Sequence, residues 1–172
     1  MKKILIALVL ICSMSSCFEA TQIQGNYSAN NTFTSDRKID SVWSSIIDLF
    51  SSKGISIKVI DKQSGLIVSE NTSFMHQYTF EGKDGKLENE NAWVVVERRG
   101  NGWGGLVQPI KLTGDWNIRV KELNNKTLVT VNLTNIDASF YIGPTTYSSG
   151  VYRPLNCKST GVFEKFIFDN IK

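Results

Sequence analysis

Apolar residues first recur with helical spacing between Asp36 and Lys53. Ser35 or Asp36 is the expected N-cap of this segment, and Gly54 is the expected stop after its last turn. Intervals of three and four residues place the apolar side chains on one face of an α-helix. The stripe consists of Ile39, Val42, Trp43, Ile46, Ile47, Leu49 and Phe50. We therefore predict an amphipathic helix over residues 36–53.

Short alternating segments follow this helix and predict β-strands. Ile55, Ile57 and Val59 alternate with polar residues, and a polar turn then leads into the apolar run 66–68. Together these segments predict a helix followed by a β-hairpin. Further strands are predicted over 76–80, 92–98 and 106–112.

The clearest hairpin surrounds the polar turn at residues 123–126. Its two apolar rows are Trp116, Ile118 and Val120 on one strand and Val129, Val131 and Leu133 on the other. The polar residues between them should face water, as in an antiparallel sheet that is covered on one side.

A second amphipathic helix closes the chain. Ser159 or Thr160 is the expected N-cap. One face of this helix carries Val162, Phe163, Phe166, Ile167 and Ile171. The complete pattern predicts an α+β fold, with an antiparallel sheet meander and two amphipathic helices packed on one of its faces.

The first seventeen residues carry a different pattern. Lys2 and Lys3 precede an uninterrupted apolar run over 4–11, and small residues then lead to Cys17. The run is shorter than the ~20 residues of a membrane-spanning helix and is typical of a secretory signal. The segment resembles the bacterial lipoprotein signal, in which the cysteine receives diacylglycerol and becomes the new N-terminus.

This resemblance implies that residues 1–16 are removed and that Cys17 carries the lipid. Ser16 supplies the small residue that the signal peptidase needs before the cysteine, whereas bulky Ile11 precedes the competing Cys12. The expected location is the bacterial cell envelope, with the protein most simply placed on the outer membrane and facing the periplasm or the cell surface.

Residues 17–31 are rich in Gln, Asn, Ser and Thr and lack a regular apolar pattern. We interpret them as a tether between the lipid and a single α+β domain over 32–172. At ~3.4 Å per residue the tether could hold this domain up to roughly 50 Å from the membrane. The alternative is an N-terminal edge strand near 27–34, and the two interpretations are compatible in part.

Charge and cysteine content narrow the possible functions. The 172 residues include 19 basic and 16 acidic side chains, and removal of Lys2 and Lys3 with the signal leaves 17 basic ones. A nearly neutral chain without a Lys/Arg run gives no indication of nucleic-acid binding. With Cys12 removed and Cys17 lipidated, Cys157 has no partner for an intramolecular disulfide.

Three short motifs resemble one family of bacterial lipoproteins. They are Ile-Asp-Ser-Val-Trp at 39–43, Lys-Gly-Ile-Ser-Ile at 53–57 and Asp-Lys-Gln-Ser-Gly-Leu-Ile-Val at 61–68. Together they are similar to the opening of the helix-grip-like domains found in BamC-type outer-membrane-assembly lipoproteins. Most of the matching positions are core positions, so the resemblance implies a helix-grip-like fold more than a function.

Candidate catalytic and cofactor motifs are incomplete. Residues 100–105 satisfy G-x-G-x-x-G, but a dinucleotide site needs a helix directly afterwards, and Pro109 lies in the following segment. The single histidine, His76, could pair with Cys157 as a thiolate couple, although unrelated structural roles are the simpler expectation. The acidic segment 81–91 lacks calcium-loop spacing and is expected to be a solvated loop. We predict no enzyme activity, no metal and no cofactor.

Aromatic residues in predicted loops are the remaining indication of function. Aromatic and arginine side chains on loops are typical of recognition surfaces. The alternative is that they fold back over the open face of the sheet. The candidate partner-binding residues are Trp103, Tyr141, Tyr147, Tyr152 and Arg153.

These observations favour a lipid-anchored, non-catalytic envelope protein that binds a protein partner. A carrier or sensor of a small apolar ligand, held between the sheet and the last helix, is the alternative hypothesis. A hydrolase is the third.

Substitution of the two N-terminal cysteines tests the anchor. Cys17→Ser should leave an unlipidated and uncleaved precursor, because thioether attachment needs the Cys17 sulfur, whereas Cys12→Ser should be processed normally. Mass spectrometry of the membrane fraction measures both outcomes. Acylation at Cys12, or a mature protein without lipid, would contradict the assignment.

Overall fold

The computed structural model describes residues 20–27, 30–100, 105–144, 146 and 149–172. These residues form two helices, α1 (Ile39–Lys53) and α2 (Val162–Ile171). The strands are β1 (Ala20–Thr21), β2 (Thr32–Ser35), β3 (Val59–Asp61), β4 (Leu66–Val68), β5 (Thr72–Ser73), β6 (Tyr78–Phe80), β7 (Val94–Val96), β8 (Arg98–Arg99), β9 (Lys111–Leu123), β10 (Lys126–Ile142), β11 (Val151–Leu155) and β12 (Cys157–Ser159). The predicted α+β class is confirmed.

The strands form three sheets in the described part of the chain, so the single meander is wrong. The largest sheet has the order β11-β10-β9-β4-β3, with β2 also paired to β10 and β5 to β9. A second sheet has the order β12-β7-β6, and β1 pairs with β8. The β6–β7 pair is parallel, whereas the other pairs are antiparallel. Because parallel neighbours cannot be joined by a tight turn, the chain leaves the sheet over 81–93 and returns.

The long hairpin formed by β9 and β10 agrees with its prediction in register. Trp116 pairs with Leu133, Ile118 with Val131 and Val120 with Val129. At its turn, Asn124 and Asn125 have φ values of 52° and 60°. A two-residue turn of this kind needs left-handed backbone at both positions, and asparagine tolerates that conformation better than most residues.

Strand β10 pairs with three neighbouring strands, β2, β9 and β11. Residues 127–130 pair with β2, and residues 138–142 pair with β11. A register shift in the pairing with β9 falls between Thr134 and Asp137. A β-bulge increases the local twist of a strand. The residues of β10 before the bulge pair with β2, and those after it pair with β11.

Helix α1 ends where predicted, but it begins later. Gly54 has a φ of 65°, and the N–H of Ile55 donates to the carbonyl of Phe50 at 2.9 Å. The N-cap is Lys38, without a side-chain capping bond, so the predicted caps Ser35 and Asp36 are wrong. The Ser35 hydroxyl instead accepts from the Arg37 N–H at 3.2 Å.

Several predicted strands are shorter than their apolar patterns. The strand predicted from Ile55 begins at Val59, because the Ile55 amide closes the helix and cannot join a ladder. The predicted 76–80 and 92–98 strands shrink to β6 and β7 with a separate β8. The predicted 106–112 strand begins only at Lys111, after Pro109, which has no N–H to donate.

Helix α2 is capped by glycine. Gly161 is its N-cap with a φ of 85°, so the predicted caps Ser159 and Thr160 are wrong. Ser159 and Thr160 lie two and one positions before the N-cap, and their hydroxyls accept from the N–H groups of Gly161 and Val162 at 3.1 and 3.3 Å. The residues of this helix that are buried are Phe163, Glu164, Ile167, Phe168 and Ile171.

An aromatic cluster occupies the centre of the core. Trp116 of β9 is fully buried, and its ring lies 4.7 Å from that of Phe50 in α1 and 6.2 Å from that of Phe163 in α2. Trp93 extends the cluster, with ring separations of 4.9 Å to Phe163 and 6.1 Å to Phe74. Both helices therefore contact the same strand side chain.

Burial of the apolar face of α1 leads to a prediction about stability. Trp43 is 7% exposed. Its truncation should destabilise the domain by about 3–5 kcal/mol, through lost burial and the cavity left behind. Thermal and urea unfolding of Trp43→Ala measure this loss, with Ser44→Ala at the exposed neighbouring position as control. A midpoint for Trp43→Ala within a degree or two of wild type would contradict the assigned burial.

Candidate functional site

The candidate site residues divide between described and undescribed parts of the chain. Cys17, Trp103 and Tyr147 lie outside the described residues. Tyr141 and Tyr152 lie within them and come together.

Tyr141 and Tyr152 form an exposed cross-strand pair. They lie opposite each other on β10 and β11, with ring centroids 5.1 Å apart at an interplanar angle of 49°. Their exposed fractions are 45% and 66%. The expectation that they occupy an irregular segment is wrong, because the ladder continues through both residues.

Gly150 allows Tyr141 to adopt this position. A Cβ built on Gly150 would lie 1.8 Å from the Tyr141 hydroxyl oxygen, a separation that real atoms do not reach. The tyrosine ring therefore lies against bare backbone on one side and near Tyr152 on another.

Arg153 does not share the tyrosine surface. It lies opposite Phe140 in the ladder, and adjacent residues of a strand point to opposite faces. Phe140 is buried, with the guanidinium of Arg99 5.5 Å from its ring centroid. The predicted aromatic and arginine cluster is thus divided between two faces.

A second feature, absent from the sequence predictions, is the attachment of residues 20–27 to the domain. Strand β1 pairs with β8, and the side chain of Glu81 accepts from the N–H groups of Gln24 and Gly25 at 3.0 Å each. The Tyr27 hydroxyl donates to the same carboxylate at 2.7 Å. Part of the segment interpreted as a tether is therefore bound to the domain.

Glu81 is buried, which corrects its placement in a solvated loop. Burial by itself raises the pKa of this carboxyl, but the bond from Tyr27, the two amide bonds and nearby Lys158 outweigh it and hold the pKa below its usual value. Burial, together with the Glu81 carboxylate, raises the pKa of Tyr27 to about 12. The Lys158 ammonium lies 5.1 Å from the Tyr27 ring centroid and donates to the Gly25 carbonyl at 2.5 Å.

A buried ion pair lies near this attachment. Glu97 is 1% exposed and lies 2.9 Å from the Arg99 guanidinium. The Asn156 side-chain amide donates to the other Glu97 oxygen, and the Glu97 N–H donates to the Asn156 carbonyl at 2.8 Å. The carboxylate is thereby paired with a cation and accepts from Asn156, while Glu97 Oε1 and Arg99 Nε have no hydrogen-bond partner among the described residues. We assign the pair a structural role.

Cys157 lacks the surroundings of a reactive thiol. Burial raises its pKa to about 11, and the carboxylates of Asp137 and Glu97 add to the shift, whereas His76 is not among the groups that act on it. The thiol donates to the Ile136 carbonyl at 3.5 Å. His76 is exposed.

The described residues show neither a group of metal ligands nor the helix that a dinucleotide site needs after the glycine motif. There, no three His, Cys, Asp or Glu side chains are grouped so as to hold a metal ion. Residues 105–110, which follow the glycine motif, form no helix. Within the described ranges, no helix has the length and apolarity needed to cross a bilayer.

An open groove of about 460 Å³ runs beside α2. Phe33, Val162 and Phe168 supply its apolar lining, and Lys165 and Asp169 contribute charges. The Phe33 and Phe168 rings stack at 5.6 Å. This groove is the feature that bears on the small-ligand hypothesis.

The sequence matches no protein-family model, and no curated protein is significantly similar to it. The resemblance to helix-grip lipoproteins therefore depends on its three short motifs alone.

Alkylation of Cys157 provides a test of thiol chemistry. With a pKa of about 11 instead of the ordinary 9.0, Cys157 should react about a hundredfold more slowly when folded than when unfolded near pH 8, because the thiolate is the nucleophile. The rate should rise with pH until the thiol ionises. Iodoacetamide labelling with and without urea, followed by peptide mass spectrometry, measures this ratio. Faster labelling of the folded protein would contradict the assignment.

Proposed function

We propose that this protein is a lipid-anchored, non-catalytic component of the bacterial cell envelope that binds a protein partner through Tyr141 and Tyr152. The observation that carries the proposal is the exposed tyrosine pair on paired strands. Tyrosine has only two χ angles and loses little entropy on binding, and such aromatic anchors dominate interface energies.

The lipid anchor is supported by the N-terminal pattern. Lys2 and Lys3, the apolar run over 4–11 and the small residues before Cys17 occur in the order that a lipoprotein signal requires. A protein that is held to a membrane by its N-terminus keeps the far surface of its domain free for recognition.

The proposed architecture is helix-grip-like, with both helices on one face of the largest sheet. Phe50 of α1 and Phe163 of α2 support this arrangement, because both rings contact Trp116. The tyrosine pair lies on β10 and β11 of that sheet, outside the aromatic core.

The non-catalytic part of the proposal is supported by the chemistry of the candidate residues. A thiol whose pKa is raised to about 11 is protonated at neutral pH and is a poor nucleophile. Exposed His76 is not among the groups that act on it.

The small-ligand hypothesis is the second candidate because of the groove beside α2. Its volume of about 460 Å³ falls in the range of ligand sites, and Phe33 and Phe168 give it an apolar lining. It is open, however, and Lys165, Asp169 and Lys172 also line it. An enclosed apolar site would suit a carrier better.

Substitutions in the tyrosine pair test the proposal. Tyr141→Ala and Tyr152→Ala should each weaken partner binding by about 2 kcal/mol, roughly thirtyfold, if both are central anchors. Gly150→Val should weaken binding while retaining both tyrosines, because its side chain would displace the Tyr141 ring. The measurement is capture of crosslinked partners from envelope membranes, followed by affinity measurement with the recovered partner.

Leu123→Ala is the matched control. Leu123 is 53% exposed and lies at the turn between β9 and β10, at the opposite end of β10 from Tyr141. Circular dichroism and thermal unfolding should show that all variants remain folded. Equal affinity of the wild type and the three site variants would contradict the proposed surface. Native mass spectrometry that finds an apolar molecule bound, and lost in Phe168→Lys, would favour the ligand hypothesis instead.

A further inference from the structure

The described part of the chain begins very close to the proposed lipid. If Cys17 is acylated, three residue steps separate it from Ala20, which is paired with Arg99. Three steps span at most ~10 Å. A tether that was free over 17–31 would instead reach roughly 50 Å.

Residues 20–27, here called the N-terminal strap, are bound to the domain at several positions. Backbone pairing with β8 holds the first two residues, and the buried Glu81 carboxylate holds Gln24, Gly25 and Tyr27. Three donors converge on one carboxylate, and hydrogen bonds to a charged acceptor are shorter and stronger than those between neutral groups.

We propose that the N-terminal strap holds the domain against the membrane that carries its lipid, with the β1–β8 edge toward the headgroups. This inference rests on the proposed lipidation of Cys17. The partner of this edge is therefore the lipid surface itself, and the strap determines which side of the domain faces it.

Charge alone does not supply this orientation. Arg98 forms an ion pair with Glu88, and Arg99 with Glu97, so neither guanidinium is free for anionic headgroups. Free basic residues near the surface are what draw a protein to such lipids. The short covalent connection and the strap contacts are the elements that fix the distance.

Neutron reflectometry on the full-length lipidated protein in a supported bilayer measures that distance directly. The wild type should show no water layer thicker than about 10 Å between headgroups and protein. Tyr27→Ala/Glu81→Gln removes the hydroxyl donor and the charged acceptor, and the two-residue pairing of β1 with β8 is too short to hold the strap alone. The strap should then detach, and the layer should widen to about 20 Å. Hydrogen exchange at the Gln24 and Gly25 amides should accelerate in the same variant.

Asn26→Ala is the matched control, because Asn26 is exposed between two strap residues that bind Glu81. It should retain the wild-type distance and exchange rates. Mass spectrometry of the same samples reports acylation of Cys17. A chain without acyl groups overturns the anchor and this inference together.

An acylated wild type with a water layer above about 20 Å, or with unprotected Gln24 and Gly25 amides, overturns the inference alone. A double variant whose strap exchanges freely while its distance stays at the wild-type value does the same, because the strap would then not control the position of the domain.

Discussion

The packing of Trp116 is the contact on which the rest of the domain depends. Its ring is fully buried on β9 and contacts one phenylalanine from each helix. Within the described residues its indole N–H finds no hydrogen-bond partner, which costs about 1–3 kcal/mol. Burial of so large an apolar surface outweighs that cost. Both helices therefore contact the largest sheet through this one side chain.

Two buried carboxylates, Glu81 and Glu97, connect the N-terminal strap and the short strands β8 and β12 to the rest of the domain. Glu81 collects donors from the N-terminal strap, and Glu97 joins Arg99 and Asn156 beside β12. Apolar contacts are tolerant of small shifts, whereas a buried charge requires its donors in place. These carboxylates therefore give the short strands a defined register that two or three residues of ladder would not supply alone.

Local patterns predicted the parts of the fold that depend on nearby residues. Apolar residues from Ile39 to Phe50 repeat with the period of a helix, and those around Trp116 and Val131 alternate with the period of a strand. The structure contains the helix and the two strands that these periods predict. The N-caps were missed because Lys38 and Gly161 cap the two helices without a side-chain bond, so the usual preference for Ser, Thr or Asp did not apply. The strap could not be predicted, because the acceptor Glu81 is more than fifty positions away from its donors. Tyr141 and Tyr152 were identified from composition, but their pairing depends on the register of β10 and β11.

Edge strands β3 and β11 of the largest sheet bear on encounters between copies of the protein. Under the proposed lipid anchoring, copies would be concentrated in two dimensions, where exposed strand edges would encounter one another often. Edge strand β3 has only three residues and is followed by Lys62, which is paired with Asp40. Edge strand β11 contains Pro154, which cannot donate a ladder bond. Backbone pairing between copies is therefore opposed at these two strands, which favours the proposal that recognition uses side chains projecting from the sheet.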